Sequence, residues 1–397
     1  MRPMLNLYQT LAVAVLALWT GELLKKRVRA LERFCIPSPV IGGLLFAVIS
    51  LVVHLTCDVD IQFDDTLKEV CMVFFFTSVG FQANIKMVRQ GGRPLVVLIG
   101  LVALAVVVQN LAAVGIAMAI GLDGMMGMTA GSIPMVGGHG TAGAFGPLLE
   151  RMGVAGATTL TTAAATFGIV AGSLMGGPVG ERLIERYRLM SGSEGNEAEV
   201  VEVGKQSAGS QRLHTSYTIA VFQLIAAIGI GTLVSKALSL TGLTFPIYIG
   251  SMIVAAVIRN YGEHTNRLTI PMHQINDLGD ISLSLFLGMA MVTLRLWELS
   301  DLALPLILLL TAQTVIMFVF AQFVCFRAMG KDYDAAVMTA GFCGFGMGAT
   351  PNAMANMQAI CEKYRHSVKA FLLIPIVGSM FADFVNSIII TCFINAL

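Results

Sequence analysis

The chain has 397 residues, 56% of them hydrophobic and 12% charged, with a mean hydropathy of +0.79. A soluble domain carries about twice that share of charge, so the composition is that of an all-α polytopic membrane protein whose first partner is the lipid bilayer. A net charge of +1 and a pI of 7.6 speak against nucleic-acid binding, and seven cysteines without CxxC spacing give no disulfide or metal framework.

In chain order, ten stretches approach the ~20 apolar residues that a crossing needs. They run over 5–24, 37–56, 66–82, 94–121, 154–178, 215–239, 243–259, 277–293, 302–326 and 368–393. The basic cluster Lys25, Lys26, Arg27, Arg29 and Arg33 follows the first stretch, the reverse of a cleavable signal peptide. Twenty Lys and Arg fall on one set of alternate loops, Lys205 and Arg267 among them. Five, namely Arg2, Lys68, Arg151, Lys236 and Arg295, fall on the other. The positive-inside rule then puts both termini outside, together with the acidic loop of Asp58, Asp60, Asp64, Asp65 and Glu69.

Residues 187–212 have no apolar period and are rich in Gly, Ser and Glu, which predicts a cytoplasmic linker. It divides a first repeat, 1–186, from a second, 213–397. Each repeat holds five spans, and because five is odd the second enters the membrane from the opposite side. The repeats are therefore expected to be inverted.

Between the fourth and fifth spans lies Gly137-Gly138-His139-Gly140-Thr141; between the ninth and tenth lies Gly346-Met347-Gly348-Ala349-Thr350-Pro351. Both segments open on Thr-Ala-Gly, at Thr129 and Thr339, and both close on a small residue followed by Thr. Gly121-Leu122-Asp123 similarly matches Gly330-Lys331-Asp332. Each segment is apolar enough for the bilayer but too rich in Gly and Pro for a smooth helix. Irregular backbone at membrane depth survives only where protein buries it or where it lines a wet cavity. Two re-entrant hairpins, at about 125–147 and about 335–357, are the expectation, with a transport site where they meet.

The stretches AGSIPMVGGHGTAGAFG (130–146), ATFGIVAGSLMGGPV (165–179), LSLFLGMAMVTLRLWELSDLALPL (283–306), GKDYDAAVMTAGFCGFGMGATPNAMANMQAI (330–360) and ADFVN (382–386) resemble the bacterial sodium/glutamate symporters along nearly the whole chain. The resemblance implies ten transmembrane helices, two re-entrant loops meeting near the midplane, a homodimer, an elevator-type mechanism and a bacterial inner membrane. It also implies L-glutamate as substrate and Na⁺ as coupling ion, with no organic cofactor and no enzymatic reaction.

The glycines Gly137, Gly138, Gly140 and Gly348 let backbone approach a ligand, and Thr141, Ala349, Thr350 and Asn352 complete the two tips. Small residues also serve tight helix packing, but the duplication favours a site. His139 either meets a substrate carboxylate, carries a proton or is a satisfied core residue. Asp383 lies about midway along the last span, where an unpaired carboxylate costs at least ~3 kcal/mol; Na⁺ or the substrate ammonium is the expected partner. Asn386, one turn on, shares its face, and Thr166 and Ser132 add oxygens for Na⁺. Thr158, Thr159, Thr161 and Thr162, with Gln109, Asn110 and Gln313, read individually as structural. Since no arginine falls at the centre of a span, a dicarboxylate has to be held by amides, hydroxyls and helix N-termini. Two rivals stand beside this reading. One is a symporter of another small carboxylate, coupled to H⁺ or Na⁺; the other is an intramembrane enzyme using His139 and Asp383, which leaves two hairpins unexplained.

Overall fold

A computed structural model describes residues 4–29, 31, 36–57, 59, 61–189, 210–240, 245–265, 268–297 and 302–397. The expected linker lies outside the described residues except at its ends, as do Arg2, Arg33, Lys205 and Arg267 of the Lys and Arg assigned to the loops, Asp58 and Asp60 of the acidic loop, and Cys35.

The first half contains α1 (Leu7–Arg27), α2 (Ser38–Cys57), α3 (Thr66–Gln82), α4 (Ile85–Ala119), the short α5 (Gly124–Met128) and α6 (Ser132–Met135), α7 (Gly138–Arg151) and α8 (Ala157–Tyr187). The second contains α9 (Ser210–Ser239), α10 (Tyr248–Thr265), α11 (Met272–Val292), α12 (Ala303–Phe320), α13 (Tyr333–Gly346), α14 (Thr350–Lys363), α15 (Val368–Ile376) and α16 (Ala382–Ala396). Wider π turns at Ala321–Cys325 and Val377–Phe381 extend α12 and join α15 to α16. Two residue pairs, Met4–Leu5 (β1) and Gln62–Phe63 (β2), form a parallel bridge.

Seven described helices are long and apolar enough to cross a membrane, or eight if Val368–Ser379 and Ala382–Ala396, bent by 42°, form one span. The expected spans at 66–82 and 243–259 fold as α3 and α10, of 17 and 18 residues. Lys68 and Glu69 at the start of α3, and Arg259 and Glu263 near the end of α10, shorten their apolar runs.

The first three helices of each half pack together in a reciprocal pattern. α1 lies on α2 and α9 on α10; α2 lies on α11 and α10 on α3. Glycines set these close approaches. A Cβ on Gly21 of α1 would sit 2.0 Å from the Ser38 carbonyl oxygen of α2, and one on Gly231 of α9 would sit 2.3 Å from the Ser251 Cα of α10. In the next pair of crossings the glycine changes sides: Gly43 of α2 lies against Met291 of α11, whereas Gly80 of α3 lies against Met252 of α10.

The remaining helices surround the two Gly-rich segments. One apolar core joins α4, α12, α8 and α15 to the hairpin of α13 and α14. A second joins α7 to α2, α3, α10, α11 and α16. Each hairpin opens on the same device. Gly121 and Gly330 turn the chain with φ of 82° and 118°, and the next-but-one residue, Asp123 or Asp332, caps the first helical turn through its carboxylate.

Candidate functional site

The two tips touch. Gly138 has φ 57°, a left-handed conformation that a side chain strains, and a Cβ there would stand 3.0 Å from the Gly348 carbonyl oxygen. The second-arm helices α7 and α14 therefore start close together, and neither has a side-chain cap: Gly137 and Ala349 occupy the cap positions. Pro351 in the first turn of α14 removes one donor that would otherwise need a partner. The two helix N-termini thus bring uncapped backbone donors and positive dipole ends to one place.

Neighbouring helices hold this arrangement by named bonds. On α4, Asn110 Oδ1 accepts the Ser132 N–H at 2.8 Å, while the adjacent Gln109 Nε2 donates to the Gly346 carbonyl at 3.0 Å. One helix thereby fixes both segments with consecutive residues, which point about 100° apart. Gln313 of α12 donates to the Gln109 carbonyl at 2.8 Å. Asn352 donates to the Ile169 carbonyl of α8 at 2.8 Å and to Ser173 Oγ, and Asn356 donates to the Gly172 carbonyl at 2.9 Å. From α16, Asn386 Nδ2 reaches the Ser132 carbonyl at 3.0 Å.

Each expected site residue has a definite place. Gly137 lies where Thr141 folds back to donate to the Ile133 carbonyl, leaving no room for a Cβ. Gly140 faces Phe75. His139 is buried, with Nε2 3.0 Å from Thr166 Oγ1, and that hydroxyl donates to the Thr162 carbonyl at 3.0 Å. The single Thr166 proton serves one of these two partners; when it goes to Thr162, His139 Nε2 is the donor and Nδ1 of a neutral ring is an acceptor. Thr350 is half-buried, 3.0 Å from the position of a Cβ on Gly378. Asp383 is half-buried on α16, with no hydrogen bond or ion pair among the described residues, between the turn that touches Thr350 and Asn386, which touches Ser132. No bond joins it to His139.

Several oxygens here lack partners. Ser132 Oγ and Asn386 Oδ1 are buried without a hydrogen bond, as are Thr162 Oγ1, Asn352 Oδ1 and Ser387 Oγ. Buried polar atoms are nearly always satisfied, so a cluster of orphaned oxygens beside a carboxylate marks a place for a ligand. Tyr248 belongs to the same neighbourhood and was not singled out by the sequence. It is fully buried, stacks on Phe76 at 3.9 Å, and brings its hydroxyl beside Ser387 and within Coulombic reach of Asp383. Asn110, Gln109 and Gln313 look structural in sequence; the side chains of Asn110 and Gln109 bind the two Gly-rich segments, and that of Gln313 binds the Gln109 carbonyl between them. A polar amide inside an apolar span was the available signal. Among the described residues no group of three or more His, Cys, Asp or Glu converges as a metal site.

Long apolar helices surrounding two broken helical hairpins define an all-α polytopic membrane protein. A family model described as sodium/glutamate symporter matches residues 4–366. The chain is 40% identical over 393 residues to a sodium/glutamate symporter of Escherichia coli, covering 98% of each chain, and equally so to that of Shigella flexneri. It is 38% identical over 385 residues to a sodium/glutamate symporter of Haemophilus influenzae, covering 96% of this chain and 95% of the relative. The chain belongs to the sodium/glutamate symporter family.

Proposed function

We propose that the protein is a secondary active transporter that carries L-glutamate into a bacterial cell across the inner membrane, driven by inward movement of Na⁺. The observation that carries this reading is the meeting of two uncapped helix starts, where Gly138 lies against Gly348, together with the Asp383 carboxylate, which has no hydrogen bond or ion pair among the described residues. Sodium and glutamate enter from the names of the relatives.

In this reading the amides of Gly138–Gly140 and Gly348–Thr350 hold the substrate carboxylates, as helix N-termini hold anions in broken-helix transporters, while Asn352, whose Nδ2 donates to Ile169 and Ser173, anchors the second tip. His139 offers Nδ1 to the substrate ammonium, the acceptor role it has when Thr166 donates to Thr162. Asp383, Asn386 Oδ1 and Ser132 Oγ supply oxygens for Na⁺, and Thr166 stands one bond from His139. The coupling ion neutralises Asp383, so the ion-loaded site crosses more readily than one in which that charge is bare.

The reciprocal packing of the halves 1–186 and 213–397 supports inverted repeats, with hairpins that enter from opposite faces. The gathering of Met4, Ile61, Pro147, Gly156 and Arg295 around one cavity supports their common sidedness, taken here as periplasmic with both termini. An elevator motion of the hairpin-bearing helices against the six-helix bundle, and a homodimer, complete the proposal.

The experiment is uptake of labelled L-glutamate into proteoliposomes under an inward Na⁺ gradient, against K⁺ with a proton gradient. Uptake that requires Na⁺ is the expected result. Uptake driven by protons alone would replace the coupling ion, and uptake of a different small carboxylate alone would replace the substrate. His139 and Asp383 share no bond, which gives the intramembrane-enzyme reading no acid–base pair.

A further inference from the structure

Away from the tips, a cavity of about 480 Å³ lies where β2, the start of α3, the turn between α7 and α8 and the end of α11 meet. A second of about 360 Å³ shares Asp65, Lys68, Pro147 and Glu150 with it and continues along α7 to Gly143 and Phe286. Together they make one crevice that runs toward the tips.

We propose that this crevice is a second binding site, a vestibule in which Lys68 and Arg295 take the carboxylate of an acidic amino acid before it reaches the hairpins. The proposal rests on the transport reading above and adds a site that it does not need.

Charge in the crevice is balanced in number but not in depth. Lys68 carries its ammonium on a side chain only 10% exposed, whereas its partner Asp65, 2.6 Å away, is 59% exposed. The neighbouring pair Arg151 and Glu69, 3.6 Å apart, stands at the rim at 59% and 48%. Rim charges are screened by salt more than a cation on a low-dielectric floor, so Lys68, although paired with Asp65, keeps more of its field than the rim pair does. The wall also holds a carboxylate of the chain itself. Glu150 Oε1 accepts the Thr158 N–H at 2.9 Å, at the first turn of α8. Thr158 Oγ1 has no partner, and the buried Thr159 lines the same wall. The volume suits a small ligand, and the mix of deep cation, rim carboxylates and hydroxyls suits a zwitterion with a second carboxylate.

The inner end is closed by two rings. Phe286 lies against Gly143, where a Cβ would be 2.5 Å from its ring, and Phe75 against Gly140, at 3.2 Å. Gly140 and Gly143 are one turn apart on α7 and lead directly to His139. A solute held at Lys68 is therefore separated from the tips by side chains that can rotate.

The test is the concentration dependence of labelled L-glutamate uptake by the full chain in proteoliposomes with a Na⁺ gradient. Lys68→Gln and Arg295→Gln are each expected to raise KM about three- to tenfold, with Vmax changed by less than about twofold. Lys68→Arg should restore most of the loss. Raising ionic strength with choline chloride from about 0.02 to about 0.3 M should raise the wild-type KM and flatten the difference from the variants. Arg295 lies on an exposed turn, so its variant decides the matter if Lys68→Gln does not fold. Wild-type KM and salt dependence in the variants, or a fall in Vmax alone, would overturn the vestibule. Wild-type vesicles that accumulate no glutamate would defeat the transport reading instead.

Discussion

The two hairpins reach the same meeting point by different means. In the first, the backbone is broken twice, into α5, α6 and α7, and the amide and carbonyl of Ser132 are bound by side chains from α4 and α16. In the second, two helices of 14 residues each run almost to the tip, and the side chains of Asn352 and Asn356 reach outward to carbonyls of α8. The first hairpin is thus held from outside and carries polar groups inside it. The second, bound from outside by Gln109 at the Gly346 carbonyl, also reaches out to a neighbour with its own amides. Damage to the first should therefore change what is bound, and damage to the second should change stability and turnover.

The largest effect is expected at the oxygens that face the first hairpin. Asp383→Asn should lower Na⁺-driven uptake at fixed Na⁺ by ~30- to 1,000-fold, an effect of ~2–4 kcal/mol from loss of the carboxylate charge. Uptake against Na⁺ concentration is the measurement; wild-type Na⁺ dependence in this variant would remove Asp383 from the ion path. Next, Gly138→Val should cost ~1–3 kcal/mol through the left-handed φ and the contact with Gly348. Reduced glutamate affinity in a binding assay, with the protein still eluting as a single species in detergent, is the expected outcome.

On the other side of the comparison, Asn352→Leu leaves the Ile169 carbonyl unsatisfied and should reduce stability by ~1–3 kcal/mol in denaturant titration. If it altered KM as strongly as His139→Gln, the proposed division between the hairpins would fail. Arg151→Gln should change stability by less than ~1 kcal/mol, because the pair with Glu69 is exposed. The smallest effect concerns pH. Bonds from the Thr66 hydroxyl and amide hold the Asp64 carboxyl below its usual range. A depressed carboxylate stabilises the fold above its unfolded pKa and loses that contribution as pH falls through the folded value. Asp64→Asn should therefore slightly flatten the acid limb of the stability profile.

Much of this was legible in the sequence because its signals are local. Apolar runs gave α1, α2, α4 and α8 to within a few residues at most ends, and Gly and Pro marked both tips. Gly121 and Asp123 match Gly330 and Asp332 in the sequence, and the structure shows that both pairs turn the chain and cap the helix that follows. What escaped depends on which helix meets which. Thr166 looks like its four neighbouring threonines until the crossing of α7 and α8 selects it for His139. Gln109 and Asn110 are ordinary amides until α4 is seen passing between two hairpins. The bend before Asp383 comes with a π turn, and Pro375 alone does not specify one.

The glycines of the six-helix bundle differ in what could compensate their loss. Gly43 faces the Met291 side chain, a built Cβ standing 2.1 Å from the Met291 Cβ, so the contact limits the combined bulk of two side chains. Gly80 faces the Met252 carbonyl oxygen at 2.3 Å, which no change of side chain at that position removes. Gly43→Ala should therefore be rescued by Met291→Gly, whereas Gly80→Ala should not be rescued by Met252→Gly.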